Sequence, residues 1–116
     1  MNKTELLTLV CNSLRRNKNF NISLKSVEVY KKNLWDDVIK IEFNYKNKIL
    51  PVYLNESAFH NWQKIPWGGR SEYRPKDWET WEEDRKLILT MCWCIYKYCL
   101  EDDRGNTEYQ KPPKDD

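Results

Sequence analysis

Between residues 62 and 76 the chain interleaves large planar side chains with cations: Trp62, Trp67 and Tyr73 stand among Lys64, Arg70, Arg74 and Lys76. Trp, Tyr and Arg dominate protein-contact hot spots, and rings beside cations also stack on nucleobases while touching phosphates. Pro66 and Pro75 bound the loop, and Gly68-Gly69 lies inside it. The predicted contact anchors are therefore Trp62, Trp67, Arg70, Tyr73, Arg74 and Lys76. Lys40, Lys48 and Tyr53, read as lying near the open face or edge of a sheet, form a second predicted surface.

Other chemistries find less support. Nucleophilic catalysis needs a nucleophile beside a base, and the single histidine, His60, has no local partner for it. A small ribonuclease using His60, with Glu72 and Arg70 or Arg74, is a remote alternative. No phosphate-cradling glycine motif is present. Cys92, Cys94 and Cys99 tempt toward zinc, but residues 87–100 read as one helix, on which positions two apart point about 200° from each other. Asp36-Asp37 and Glu82-Glu83-Asp84 read as caps and solvated faces rather than cation sites. The expectation is a non-enzyme with no metal and no cofactor.

Charge and composition narrow the partners. The 116 residues carry 20 basic and 18 acidic side chains, yet residues 1–76 hold 14 basic against 7 acidic, and residues 77–116 hold 6 against 11. The first part could meet a phosphate backbone or an acidic protein. No apolar run is long enough to span a bilayer, and residues 1–20 lack the basic head and continuous apolar stretch of a cleaved signal. These readings predict a cytoplasmic chain with reduced cysteines and no membrane partner. Sixteen aromatic residues, six of them Trp, are many for a chain of mean hydropathy −0.92.

The elements that must hold these residues follow from periodicity. Asn2 and Glu5 resemble a capping box opening a helix over 3–17, with Leu7, Val10, Cys11 and Leu14 on one face. Residues 22–31 read as a strand whose phase slips near Lys25–Ser26, predicting a bulge. Ile39, Ile41, Phe43 and Tyr45 alternate with polar residues, as do Leu50, Val52 and Leu54 with their neighbours. A two-residue turn at Lys46-Asn47 pairs Phe43 with Leu50, Ile41 with Val52 and Ile39 with Leu54. Pro51 puts that third strand at the sheet's edge. Asn55 or Ser57 caps a short helix through Lys64, and a last helix is predicted over 76–103, stopping before Gly105. Its part over 87–100 is apolar nearly all round, which fits a central helix or a homodimer contact.

The predicted fold is α+β: a two-layer domain over 1–105, of order α-β-β-β-α-α, with a three-stranded antiparallel sheet and a long C-terminal helix packed on one face. Residues 106–116 are predicted to be a disordered tail. The leading part of this order resembles that of double-stranded RNA-binding domains, but neither their Gly-Pro turn nor their basic cluster opening the last helix is present, and no family is assigned. The functional expectation is a small interaction protein of phage or mobile-element character. It would bind and inhibit a larger host protein or nucleoprotein machine, such as a nuclease, a defence complex or a toxin. Direct RNA or DNA binding through 62–76 is the alternative.

Overall fold

In the computed structural model, which describes residues 2–64 and 76–113, the first helix α1 spans Lys3–Lys18 and opens on the predicted capping box. The Glu5 N–H donates to Asn2 Oδ1 at 2.8 Å, and the Asn2 amide donates to Glu5 Oε1 at 2.7 Å. Asn19 ends the helix at φ 55°, a left-handed conformation that Asn tolerates. Leu7, Val10, Cys11 and Leu14 are fully buried, so the predicted stripe is the face α1 lays on the sheet.

Strands β1 (Ile22–Lys31), β2 (Val38–Tyr45) and β3 (Lys48–Asn55) form one antiparallel sheet in the order β1-β2-β3. The β2–β3 register is the predicted one, pairing Phe43 with Leu50, Ile41 with Val52 and Ile39 with Leu54. Lys46 and Asn47 both have positive φ, 50° and 64°, the twist a two-residue hairpin turn requires. Pro51 sits on an edge strand, where its missing donor is tolerated. The predicted irregularity in β1 falls between Leu24 and Ser26; a second, not foreseen, falls between Val29 and Lys31 and leaves Tyr30 outside the ladder.

Helix α2 spans Glu56–Lys64 and α3 spans Glu83–Asp103. Met91, Cys92, Ile95 and Cys99 of α3 join α1 and the inner face of the sheet in one core, so the helices lie on one face and the class is α+β. Helix α3 starts later than predicted. Residues 78–80 instead form a short 3-10 turn, and Trp81 and Glu82 are extended, with ψ near 150°. The redirection buries Trp78 and sets its ring 5.3 Å from Trp81, over which the Arg85 guanidinium lies at 3.7 Å. Aromatic and cation–π packing thus offsets the helical bonds forgone. At the other end Gly105, at φ 81°, stops α3 as predicted; the Gly105 N–H donates to Asp102 O and the Asn106 N–H to Glu101 O.

The predicted disorder after Gly105 needs correction for residues 106–113. Glu108–Gln110 form a 3-10 turn against β3. The Tyr109 ring lies 4.8 Å from that of Tyr98 and its hydroxyl donates to Tyr98 O at 2.5 Å, while the Gln110 amide donates to Asp102 Oδ1 at 2.6 Å. One half-buried aromatic and two hydrogen bonds hold a segment whose polar composition alone reads as unstructured. Among the described residues no helix is long and apolar enough to cross a membrane.

Candidate functional site

The residues predicted to act together are distributed by the fold. Trp67, Arg70, Tyr73 and Arg74 lie outside the described residues. Lys76 is exposed in the turn before Trp78. Trp62 is a correction: it is 9% exposed, with its ring 5.7 Å from both Phe59 and Tyr98, so it fills the core between α2 and α3. The spacing of Phe59 and Trp62 is that of an amphipathic helix burying its apolar face, and it outweighs the cationic neighbours that suggested a surface.

Lys40 and Tyr53 stand opposite each other in the β2–β3 ladder on the face turned away from the helices. The Lys40 ammonium is 5.7 Å from the Tyr53 ring, and the Tyr53 hydroxyl beside it raises the lysine above its ordinary range. Tyr30 reaches the same place from β1 and meets Tyr53 edge-on at 5.0 Å. Glu28 and Glu42, the first opposite Lys40 in the ladder and the second two residues along β2, interleave carboxylates with that cation. Lys48 is held at 2.5 Å by Asp102, and Lys46 at 3.0 Å by Asp103. These pairs tie the basic first part of the sequence to the acidic last part, and they use up the cations lining an open polar depression at the β2–β3 turn.

His60 is the one described member of the expected ribonuclease set; Glu72, Arg70 and Arg74 lie outside the described residues. His60 is exposed on α2, whereas Cys11 is buried and its thiol is pushed up to about 12 by that burial. Cys99 is likewise pushed up to about 12, burial being the main cause. Among the described residues no group of three metal-ligating side chains converges. Thiolates are the reactive form of cysteine, so the native protein should be alkylated slowly by iodoacetamide at pH 8, with half-buried Cys94 modified first. Mass spectrometry of timed samples checks this order; rapid labelling of Cys11 or Cys99 would contradict the burial.

The most conspicuous surface was not foreseen from sequence. Among the described residues, four of the six exposed large hydrophobics fall within residues 29–35: Val29 and Tyr30 at 47% and 46%, Leu34 at 87% and Trp35 at 91%. Leu34 and Trp35 form the tip of the β1–β2 connection. The connection is braced by its own aspartates. Asp37 Oδ1 accepts the Asn33 N–H at 3.0 Å, and the Asn33 amide donates to Asp36 O at 3.1 Å. The Asp36 carboxylate reaches across to α2, accepting the Ser57 N–H at 3.1 Å and the Ser57 hydroxyl at 2.6 Å. The Glu56 N–H donates to Asp37 O at 2.9 Å. Asp36 therefore supplies the N-terminal cap predicted from Asn55 or Ser57, and the Ser57 bonds hold its carboxyl below the usual range. The loop presents an indole and an isobutyl group to solvent on a backbone anchored from behind.

The signal for this site in the sequence was slight. Leu34-Trp35 sits in a turn between Lys31-Lys-Asn33 and Asp36-Asp37, where no periodicity assigns a large apolar residue to a core face. Comparison with protein-family models, with curated proteins and with solved structures finds no match to this chain.

Proposed function

We propose that this chain is a non-enzymatic protein-binding module whose principal contact is the β1–β2 connection, with Trp35 as its anchor. The observation that carries this reading is the exposure of Leu34 and Trp35 at the tip of a loop that is hydrogen-bonded to α2. Leaving so much apolar area in water is unfavourable, by about 25 cal/mol per Å2, and an anchored tip loses little further entropy on binding. Tyr30, Tyr53 and Lys40 on the open face of the sheet extend the contact. A small module of this kind acts by occupying a site on a larger protein, which fits an inhibitor of a host machine or toxin. The carboxylates around Lys40 and the pairing of Lys46 and Lys48 with Asp103 and Asp102 weigh against phosphate tracking as the primary role.

A pull-down from host lysate tests the reading, run with and without nuclease treatment. A protein retained after nuclease treatment by the wild type, and lost with Leu34→Ala plus Trp35→Ala at unchanged circular dichroism, is the expected result. Capture that disappears with nuclease treatment, or that ignores the double substitution, would favour nucleic acid or the 62–76 segment instead.

A further inference from the structure

Three of the four cysteines are buried in the core that α1 and α3 share, and the proposed contact surface uses none of them. Cys11 on α1 and Cys99 on α3 are fully buried, and Cys92 on α3 is nearly so. Cys92 and Cys99 are about two helical turns apart and share a face, whereas Cys94 is only half-buried. The Cys92 thiol donates to Val10 O at 3.7 Å, and that carbonyl belongs to the peptide leading into Cys11. The sulfur of α3 thus rests on the turn of α1 that carries the other thiol. Burial is the main reason that Cys11 stays protonated; Arg15 opposes it, and Cys92, then Cys99, add to it.

From this placement we infer that Cys11 and Cys92 are a disulfide-forming pair, which a small-molecule disulfide such as oxidised glutathione closes to tie α1 covalently to α3. One cysteine thiolate attacks the glutathione disulfide and expels a glutathione thiolate, which takes up a proton. The second cysteine then attacks the protein sulfur of the mixed disulfide and expels the other glutathione. Two protein thiols and one glutathione disulfide become one protein disulfide and two glutathione thiols, the protein sulfurs losing two electrons. Cys99 is not the partner, because it lies further along α3 beside Asp103 and Lys46 and acts on Cys11 less than Cys92 does. The loop closed by the bond contains the whole sheet and α2, so it restricts most of the unfolded chain. Thiolate is the attacking form and burial suppresses it, so closure is quick while the chain folds and slow once α1 and α3 have met. The same burial keeps reductants from the finished bond. The pair therefore fixes in the fold the redox condition under which the chain folded.

The experiment refolds the reduced, urea-unfolded full chain by dilution into a buffer of oxidised and reduced glutathione, and exposes the reduced native chain to the same buffer. The refolded monomer should hold two thiols in place of the four cysteines of the reduced chain. A non-reducing tryptic digest should join the peptide carrying Cys11 to that of residues 87–97, and fragmentation should assign the bond to Cys92 rather than Cys94. The native chain should form it at least about tenfold more slowly. The oxidised monomer's urea midpoint should rise by about 1 M or more and fall back on reduction with dithiothreitol. Cys92→Ser should remove both the cross-link and the rise, and Cys94→Ser should keep both. Four thiols after refolding, a bond to Cys94 or Cys99, cross-links between chains only, or a midpoint that is unchanged or lowered overturns the inference. The map is read on the wild-type chain, so it decides the matter even where a core substitution weakens folding.

Discussion

Replacing Trp62 by alanine should destabilise the protein by about 3–5 kcal/mol, the range for deleting a buried aromatic side chain. The ring is 9% exposed and bridges Phe59 on α2 to Tyr98 on α3, each at 5.7 Å between ring centres. Its removal leaves a void that α2, a nine-residue helix, can close only by shifting on the sheet. Typical domains have about 5–15 kcal/mol in total, so the variant would be marginal. Urea denaturation monitored by circular dichroism measures the change, and Trp62→Phe should recover part of the loss by restoring most of the volume. A Trp62→Ala variant of wild-type stability would return this residue to the surface and with it the reading of 62–76 as a contact segment. The contrast with Trp35 is the sharper test. Trp35→Ala should leave stability within about 0.5 kcal/mol, because at 91% exposure the indole has little packing to lose.

Deleting residues 107–116 should cost about 2–3 kcal/mol, the sum expected from uncovering a half-buried tyrosine and breaking two hydrogen bonds. The bonds are those from the Tyr109 hydroxyl to Tyr98 O and from the Gln110 amide to Asp102. A disordered tail would cost nothing on removal, so the measurement separates the two descriptions. The clasp also carries a pH signature. Burial pushes the Asp102 carboxyl up, but the bonds from Lys48 and Gln110 and the charges of Lys48 and Lys46 outweigh it and leave the group below its ordinary value. A carboxylate with a lowered folded-state pKa contributes stability above the unfolded value, near pH 4, and loses it as pH falls through the folded value. The stability difference between wild type and Asp102→Asn should therefore be present at pH 7 and shrink steadily below about pH 4. A difference unchanged at pH 3 would mean that the carboxylate's charge is not what holds the clasp.

Two residues of the proposed contact surface were legible before the fold. Lys40 and Tyr53 fall out of the alternation in residues 38–54, since each lies between apolar residues committed to the other face. Trp35 was not legible. A tryptophan in a turn has no parity and no helical phase, so its exposure depends on whether anything folds over it, and nothing among the described residues does. Trp62 failed in the opposite direction: its cationic neighbours in sequence suggested a surface, while three-residue spacing to Phe59 carried the true information. The cap of α2 was expected from Asn55 or Ser57, but Asp36 supplies it from twenty residues before the helix begins.

The sequence by itself determined the elements whose signals are local. The capping box at Asn2 and Glu5, the bulge after Leu24, the hairpin through Lys46-Asn47 and the stop at Gly105 each rest on a few adjacent residues and their backbone preferences. Three matching apolar pairs and a two-residue turn leave the β2–β3 register no competitor, because a one-residue slip would turn each pair inside out. The tertiary structure alone decided the late start of α3, the pinned residues 106–113, the closure of the charge split through Lys46 and Lys48, and which tryptophan is buried and which exposed. Those outcomes depend on groups brought together from distant parts of the chain, and burial belongs to the neighbours a side chain acquires rather than to the side chain itself.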